Sequence, residues 1–197
     1  MKLIHRFLTE IDEKWKPVGS EPIRLRIIGS AALMLQTEYE RGTKDSDILE
    51  AAEITPAIRE QLLALAGPKA PLFVKYRMYI EVVTRAILFW PQAPLFQAVP
   101  DLPLKNFTVE VLDLTDVAVS KLKRFNQNDA ADIAALASKQ LLDHQKLVTR
   151  FKAAIDFHST SGFAEDFPKY IANLNRVERD NLGVKESSIE LPDWMQE

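Results

Sequence analysis

Apolar residues recur near the start of the chain at the spacing of one helical face, at Ile4, Leu8, Ile11 and Trp15. The segment has no uninterrupted apolar core of signal-peptide length, so it is predicted to be an amphipathic helix of the folded domain. From residue 23 to 27, apolar residues alternate with arginines. This alternation predicts a strand with one buried face.

Residues 28–51 read IGSAALMLQTEYERGTKDSDILEA, in which a glycine and a serine precede a run of good helix formers and then a polar turn. Ser30 is of a type preferred at helix N-caps, and we predict that it caps the helix that follows. A short strand is predicted over residues 45–49. Residues two apart in a strand point to the same side, so Asp45 and Asp47 are expected to project together.

Beyond this strand the pattern predicts a helix and further strands. Thr55 and Pro56 have the residue types of an N-cap and a first helical residue, and Gly67 and Pro68 are predicted to end that helix. The segment from residue 91 to 103 contains four prolines and is predicted to be irregular, either wrapped over the surface or flexible. Strand-like patterns occur at residues 72–74, 78–84 and 107–111.

From about residue 115 onward the pattern becomes helical, without internal repeats or low-complexity tracts. Helices are predicted over residues 116–125, 129–142, 144–158 and 163–181. The sequence therefore predicts an α+β region over residues 1–113 and a helical region over residues 114–197.

Composition narrows the functional classes. The chain has 197 residues and a formal charge of -3, which argues against a general nucleic-acid coating protein, because such affinity comes mainly from neutralising phosphates. It has no cysteine, which excludes disulfides and thiolate metal sites. The longest apolar stretch, residues 80–90, is interrupted by charge and too short to span a bilayer. We expect a soluble, cytoplasmic protein.

The aspartate pair and the glycine–serine turn are the first candidates for chemistry. Two carboxylates on one side of a strand repel each other, and a divalent cation between them stabilises both; Mg²⁺ is commonly held by one or two carboxylates together with substrate phosphates. Gly29 allows a ligand to approach the backbone, and the amides at the following helix N-terminus favour phosphate. Each feature alone is also explained by a polar turn and a capped helix. Together they predict phosphate donors and metal ligands on one edge.

A second charged segment lies in the helical region. Lys121 and Arg124 are three residues apart and share a helix face, and so do Asp129 and Asp132. Ordinary charge pairing on two surface helices explains the pattern as well as a functional site does.

The order Gly29-Ser30, one helix, then Asp45-Ser46-Asp47 resembles the signature of the nucleotidyltransferase superfamily related to DNA polymerase beta. The residues from Arg41 to Lys44 resemble the R-x-T-x-D-x-D form of its minimal bacterial members. The K-L-x-R and D-x-x-D segments resemble AbiEii-type toxin nucleotidyltransferases. The resemblance implies a short mixed sheet flanked by helices, with an active cleft between that sheet and the C-terminal helices.

The resemblance also implies a reaction, in which an acceptor hydroxyl attacks the α-phosphate of a nucleoside triphosphate and releases pyrophosphate. Gly29 and Ser30 would hold the triphosphate, while Asp45 and Asp47 would bind Mg²⁺ or Mn²⁺. A third acid commonly completes such a site. Glu81 is the first choice because it interrupts the apolar strand MYIEVVT, although an ion pair with Arg85 or Lys75 explains it equally well; Glu110 is a weaker choice.

For the helical segment the resemblance implies supporting roles. Lys121 would place a positive charge on phosphate, with Arg124 assisting. Asp132 would orient the acceptor or support Lys121, whereas Asp129 is expected to be structural. Arg41 and Lys44 are candidates for acceptor or phosphate contacts, and equally for solvated turn residues.

The family further implies a biological role, the toxin of a toxin–antitoxin pair that modifies tRNA or a protein hydroxyl and binds an antitoxin protein. The alternative is a catalytically inactive domain that keeps the fold and binds a partner or a nucleotide, because fold alone does not determine function.

Overall fold

The computed structural model describes residues 2–39, 45–191 and 194. The chain divides into two compact units, one formed by Met1–Ile87 with Phe96–Leu112 and the other by Leu88–Leu95 with Asp113–Glu197. The segment Leu88–Leu95 thus belongs to the second unit, although it lies between two strands of the first in sequence. Within the described part of the chain, no helix has the length and apolar character needed to cross a membrane.

The first unit is built on a five-stranded mixed sheet. Its strands are β1 (Ile23–Ile27), β2 (Asp45–Leu49), β3 (Tyr79–Val83), β4 (Phe96–Ala98) and β5 (Phe107–Leu112). Their order across the sheet is β3-β2-β1-β5-β4. β1 runs antiparallel to β2 and parallel to β5, while β3 is parallel to β2 and β4 antiparallel to β5. A short mixed sheet with flanking helices confirms the predicted fold class.

The helices that accompany this sheet in the described part of the unit are α1 (Leu3–Lys14), α2 (Gly29–Gln36), α3 (Pro56–Ala66) and α4 (Pro71–Tyr76). α2 packs on β2 and β5, α3 and α4 pack on β3, and α1 contacts the other three helices. The predicted alternation of β1 is observed, since Ile23, Leu25 and Ile27 are buried between more exposed arginines. Each such buried side chain stabilises the fold by roughly 1.5–3 kcal/mol relative to leaving it exposed.

The second unit is helical. It contains α5 (Leu114–Leu122), α6 (Gln127–Ser138), α7 (His144–His158) and α8 (Phe167–Val177), and a π-helical turn, Glu178–Leu182, continues α8. Phe89 from the segment Leu88–Leu95 is fully buried, and its ring centroid lies 5.7 Å from that of Phe151 and 4.9 Å from that of Tyr170. This aromatic packing explains why the segment belongs to the helical unit.

Two local predictions are wrong. Residues 72–74 form part of α4 rather than a strand, because Pro71 begins a helical turn and buries Leu72 and Tyr76 on one face while Val74 is 70% exposed. Ser30 is not the N-cap of α2: the helix begins at Gly29 with Ile28 as its cap residue, and the Ile28 carbonyl accepts the amide of Ala32 at 3.4 Å. The proline-rich segment also contains a short strand, β4, that the sequence pattern did not predict.

Candidate functional site

The edge of the sheet near the start of α2 brings together the first group of predicted residues. β2 continues past the end of β1 and runs beside the turn into α2, where the Ile28 amide donates to the Asp47 carbonyl at 3.0 Å. β3 runs parallel to β2, so it begins at the same edge. We call Gly29, Ser30, Asp45, Asp47 and Glu81 the acidic edge.

Gly29 and Asp47 are in close contact at this edge. Gly29 has a φ of +62°, which favours glycine, and a Cβ atom there would lie 2.9 Å from Asp47 Oδ2. The carboxylate of Asp47 therefore lies directly against the Gly29 backbone, at the N-terminus of α2. The first amides of a helix have no intrahelical partner and carry partial positive charge, which favours negatively charged groups such as a carboxylate or a phosphate.

Strand register brings Glu81 beside Asp47. In the parallel pair β2–β3, Asp47 is the partner of Glu81 and Asp45 is the partner of Tyr79. Partner residues in adjacent strands lie about 4.8 Å apart and face the same side of the sheet. Ser46 is buried and Glu81 is exposed, as the alternation of both strands requires. Two carboxylates that project side by side supply the oxygen ligands that Mg²⁺ prefers, so these residues fit a divalent cation.

The other acidic candidate has different partners. Glu110 on β5 forms ion pairs with Arg26 at 3.0 Å and with Arg24 at 3.7 Å. Lys75, a predicted alternative partner of Glu81, instead contacts Glu10. The two arginine contacts of Glu110 leave Glu81 as the first choice for the acid that accompanies the aspartate pair.

Part of the predicted site lies outside the described residues. Arg41 and Lys44 belong to that part, and so does the side chain of Asp45. Among the side chains that are described, no three histidine, aspartate or glutamate groups converge to hold a metal ion. The metal site stays a prediction that rests on strand register and on the contact between Gly29 and Asp47.

The second group of predicted residues forms a charged cluster inside the helical unit, composed of Lys121, Arg124, Asp129 and Asp132. Lys121 Nζ lies 2.7 Å from Asp132 Oδ2 and 3.1 Å from Asp129 Oδ1. The side chains of Lys121, Asp129 and Asp132 are 7%, 2% and 0% exposed. The ammonium group is thus buried against two carboxylates that oppose its charge.

Arg124 completes the charged cluster from the solvent side. Its guanidinium donates to both oxygens of Asp129, at 2.8 and 3.1 Å, although its side chain is 71% exposed. Asp129 also caps α6 together with Asn126, each side chain accepting the backbone amide of the other. Burial opposes ionisation of Asp129, but the hydrogen bond from Arg124 and the charge of Lys121 outweigh it and hold the pKa of Asp129 below its usual value.

Two cations and two carboxylates leave the charged cluster without net charge. The structural role predicted for Asp129 agrees with its capping hydrogen bonds. The roles predicted for Lys121, Arg124 and Asp132 in phosphate or acceptor binding stay predictions.

Tyr79 is a residue at this edge that the sequence reasoning did not select. It is the strand partner of Asp45 and lies two residues before Glu81. The signal was present in MYIEVVT, because the alternation that singles out Glu81 also puts Tyr79 on the same side of the strand.

A sequence model of the family described as "nucleotidyltransferase of unknown function (DUF6036)" matches residues 6–167. No curated protein and no solved structure matches the chain. The matched range contains every residue of the acidic edge and of the charged cluster.

Proposed function

The chain belongs to the family described as nucleotidyltransferase of unknown function, and from that premise we propose that it is a metal-dependent enzyme. In the proposed reaction, a nucleoside monophosphate moves from a nucleoside triphosphate to an acceptor hydroxyl, and pyrophosphate is released.

The observation that carries this proposal is the register of β2 and β3 together with the contact at Gly29. Glu81 is the strand partner of Asp47, and the Asp47 carboxylate lies against the Gly29 backbone at the start of α2. Carboxylates for a divalent cation and helix amides for phosphate therefore occur side by side, which is what transfer of a nucleotidyl group requires.

In this proposal Asp45, Asp47 and Glu81 hold Mg²⁺ or Mn²⁺, and the backbone amides at Gly29 and Ser30 bind the triphosphate. A bound divalent cation would neutralise charge that develops on the phosphate oxygens. The protein itself orients the α-phosphate towards the acceptor, and positioning of this kind accounts for much of the catalysis in phosphoryl transfer.

The acceptor in this proposal is a hydroxyl of tRNA or of a protein, and the biological role is that of a toxin held in check by an antitoxin protein. The resemblance of the sequence to AbiEii-type toxins supports this role. The competing proposal is a domain that retains the fold but only binds a nucleotide or a partner.

The test is to incubate the 197-residue chain with Mg²⁺, each α-labelled nucleoside triphosphate in turn, and cellular RNA or lysate. We expect label on one class of macromolecule and none with Asp45→Asn or Asp47→Asn, each of which should keep the melting temperature of the wild type. Asp156→Asn is the matched control, because Asp156 is exposed on α7 in the helical unit. Absence of transfer with every nucleotide, together with no Mg²⁺-dependent nucleotide binding, would favour the binding domain.

A further inference from the structure

Tyr79 carries a hydroxyl group at the acidic edge. It is the first residue of β3, and its strand partner is Asp45. Tyr79 is half-buried, Ile80 is buried and Glu81 is exposed, so Tyr79 and Glu81 share one face of the strand. Tyr79 therefore belongs to the same edge and the same sheet face as the proposed metal ligands.

Packing with α4 fixes the ring of Tyr79. The Tyr79 ring meets the ring of Phe73 edge to face, with centroids 5.8 Å apart and an interplanar angle of 74°. The chain passes from α4 to β3 through Arg77, whose φ of +55° is uncommon for a residue other than glycine. The sharp turn at Arg77 and the contact with Phe73 therefore restrict the position of the Tyr79 ring beside α4.

The other three tyrosines differ from Tyr79 in position or in burial. Tyr76 is buried and its hydroxyl donates to Glu10. Tyr170 is buried and its hydroxyl donates to Asp166 at 3.4 Å, and burial raises its pKa to about 12. Tyr39 follows the C-terminus of α2, about 12 Å along that eight-residue helix from Gly29.

We propose that Tyr79 is an intramolecular acceptor, so that the enzyme transfers a nucleoside monophosphate to its own phenolic oxygen. This inference rests on the proposed function of the acidic edge. In the step, a bond forms between Tyr79 Oη and the α-phosphorus, the bond from that phosphorus to the bridging oxygen of the β-phosphate breaks, pyrophosphate leaves, and the phenolic proton passes to water.

Proximity is the physical reason for this reaction. An acceptor attached to the same framework as the bound nucleotide does not pay the entropic cost of association, and well-oriented intramolecular reactions reach very high effective concentrations. Tyr79 is held beside Asp45 by backbone pairing, whereas an external hydroxyl must first bind. Self-modification should therefore be seen most clearly when no other acceptor is present.

The experiment is to incubate the full chain with Mg²⁺ and each nucleoside triphosphate without any added acceptor, and to measure its intact mass. We expect an added mass of one nucleoside monophosphate residue, which tandem mass spectrometry of the peptides assigns to Tyr79. Tyr79→Phe should lose the adduct and keep transfer to external acceptors. Tyr39→Phe should keep the adduct, and Asp47→Asn should lose it.

The outcomes separate this inference from the proposed function. Transfer to RNA or protein without an adduct on Tyr79, or an adduct on another residue, overturns the inference and leaves the proposed function intact. Absence of label on every molecule, including the enzyme, overturns both. Peptide mapping of the wild type identifies the modified residue even if Tyr79→Phe folds poorly.

Discussion

The acidic edge and the charged cluster contain the same kind of residue beside different described neighbours. At the acidic edge Asp47 lies beside another acid, Glu81, on adjacent strands. In the charged cluster Asp129 and Asp132 both contact the ammonium group of Lys121. The spacing differs as well: Asp45 and Asp47 are two residues apart on a strand, whereas Asp129 and Asp132 are three residues apart on α6 and face Lys121 of α5.

The comparison teaches that a charged motif is not in itself a binding site. A buried carboxylate that is matched by a cation at hydrogen-bonding distance has most of its charge neutralised within the fold. Adjacent carboxylates on a sheet edge repel each other, and a metal ion that lies between them relieves this repulsion. The charged cluster is thus suited to hold α5 and α6 together, whereas the acidic edge is where we propose that a cation binds.

The largest effect on stability should follow from removal of the buried cation of the charged cluster. Lys121→Met keeps a long, helix-compatible side chain but leaves Asp129 and Asp132 without their ammonium partner. Breaking a buried ion pair in this way costs about 3–5 kcal/mol. We expect that loss in the free energy of unfolding, measured by urea denaturation.

Lys146→Met is the matched control, because Lys146 pairs with Asp113 at 2.9 Å while its own side chain is 44% exposed. An exposed pair of this kind is worth about 1 kcal/mol or less. Adding Asp132→Asn to Lys121→Met should recover part of the lost stability, since it removes one uncompensated charge. Equal losses of unfolding free energy for Lys121→Met and Lys146→Met would show that the buried ion pairs of Lys121 stabilise the fold no more than an exposed pair does.

At the acidic edge, a single methyl group should disturb the site more than the fold. Gly29→Ala introduces a Cβ atom 2.9 Å from Asp47 Oδ2 at a φ of +62°. The backbone strain costs about 1–2 kcal/mol of stability. Displacement of the carboxylate should in addition lower nucleotide transfer by about a hundredfold, because small misplacements near the reacting groups have effects of that size.

Gly183→Ala separates the two contributions. Gly183 has a φ of +64°, and a Cβ atom there has nothing within 4 Å. Gly183→Ala should lose as much stability as Gly29→Ala, measured by thermal denaturation. It should retain nucleotide transfer, and it should retain Mg²⁺-dependent nucleotide binding measured by calorimetry. If Gly29→Ala retains both as well, the contact between Gly29 and Asp47 has no functional consequence.

The acidic edge was predictable from sequence to the extent that it depends on local periodicity. The bounds of β2 follow from the pattern around Asp45 and Asp47, and the start of α3 follows from Thr55 and Pro56, as the structure confirms. The partnership of Asp47 with Glu81 depends on strand register, which forms between segments more than thirty residues apart and leaves no local signal.

The wrong predictions have a similar origin. The apolar run from Leu72 to Val74 is compatible with either a strand or a helix, and its tertiary contacts select the helix. Ser30 has the chemistry of an N-cap, but the chain turns at Gly29, which has a left-handed φ, and the cap of α2 lies two residues earlier at Ile28. In the charged cluster, the shared face of Asp129 and Asp132 on α6 was predictable, whereas the burial of Lys121 against them was not, because that depends on how α5 and α6 pack. Arg124 lies beyond the end of α5 and is exposed, so the predicted face shared with Lys121 is not formed.

Acid should weaken the charged cluster through Asp129. Burial raises the pKa of this carboxyl, but Arg124 and Lys121 lower it more, so the folded-state pKa lies below the unfolded value. The stabilisation is therefore fully present above the unfolded pKa and is lost as the pH falls through the folded-state pKa. The difference in unfolding free energy between wild type and Asp129→Asn should shrink as the pH is lowered below about 4. A difference that does not vary with pH would contradict this assignment.

The smallest effect should come from the exposed cation of the charged cluster. Arg124→Ala removes two hydrogen bonds to Asp129, but the guanidinium is largely in water and Lys121 still contacts the same carboxylate. We expect a loss of about 1 kcal/mol or less, which diminishes at high salt because exposed charges are screened. The loss from Lys121→Met should persist at high salt, since that pair is buried. A loss from Arg124→Ala as large as that from Lys121→Met would mean that Asp129 relies on its exposed partner, and that the charged cluster does not owe its stability to the buried Lys121.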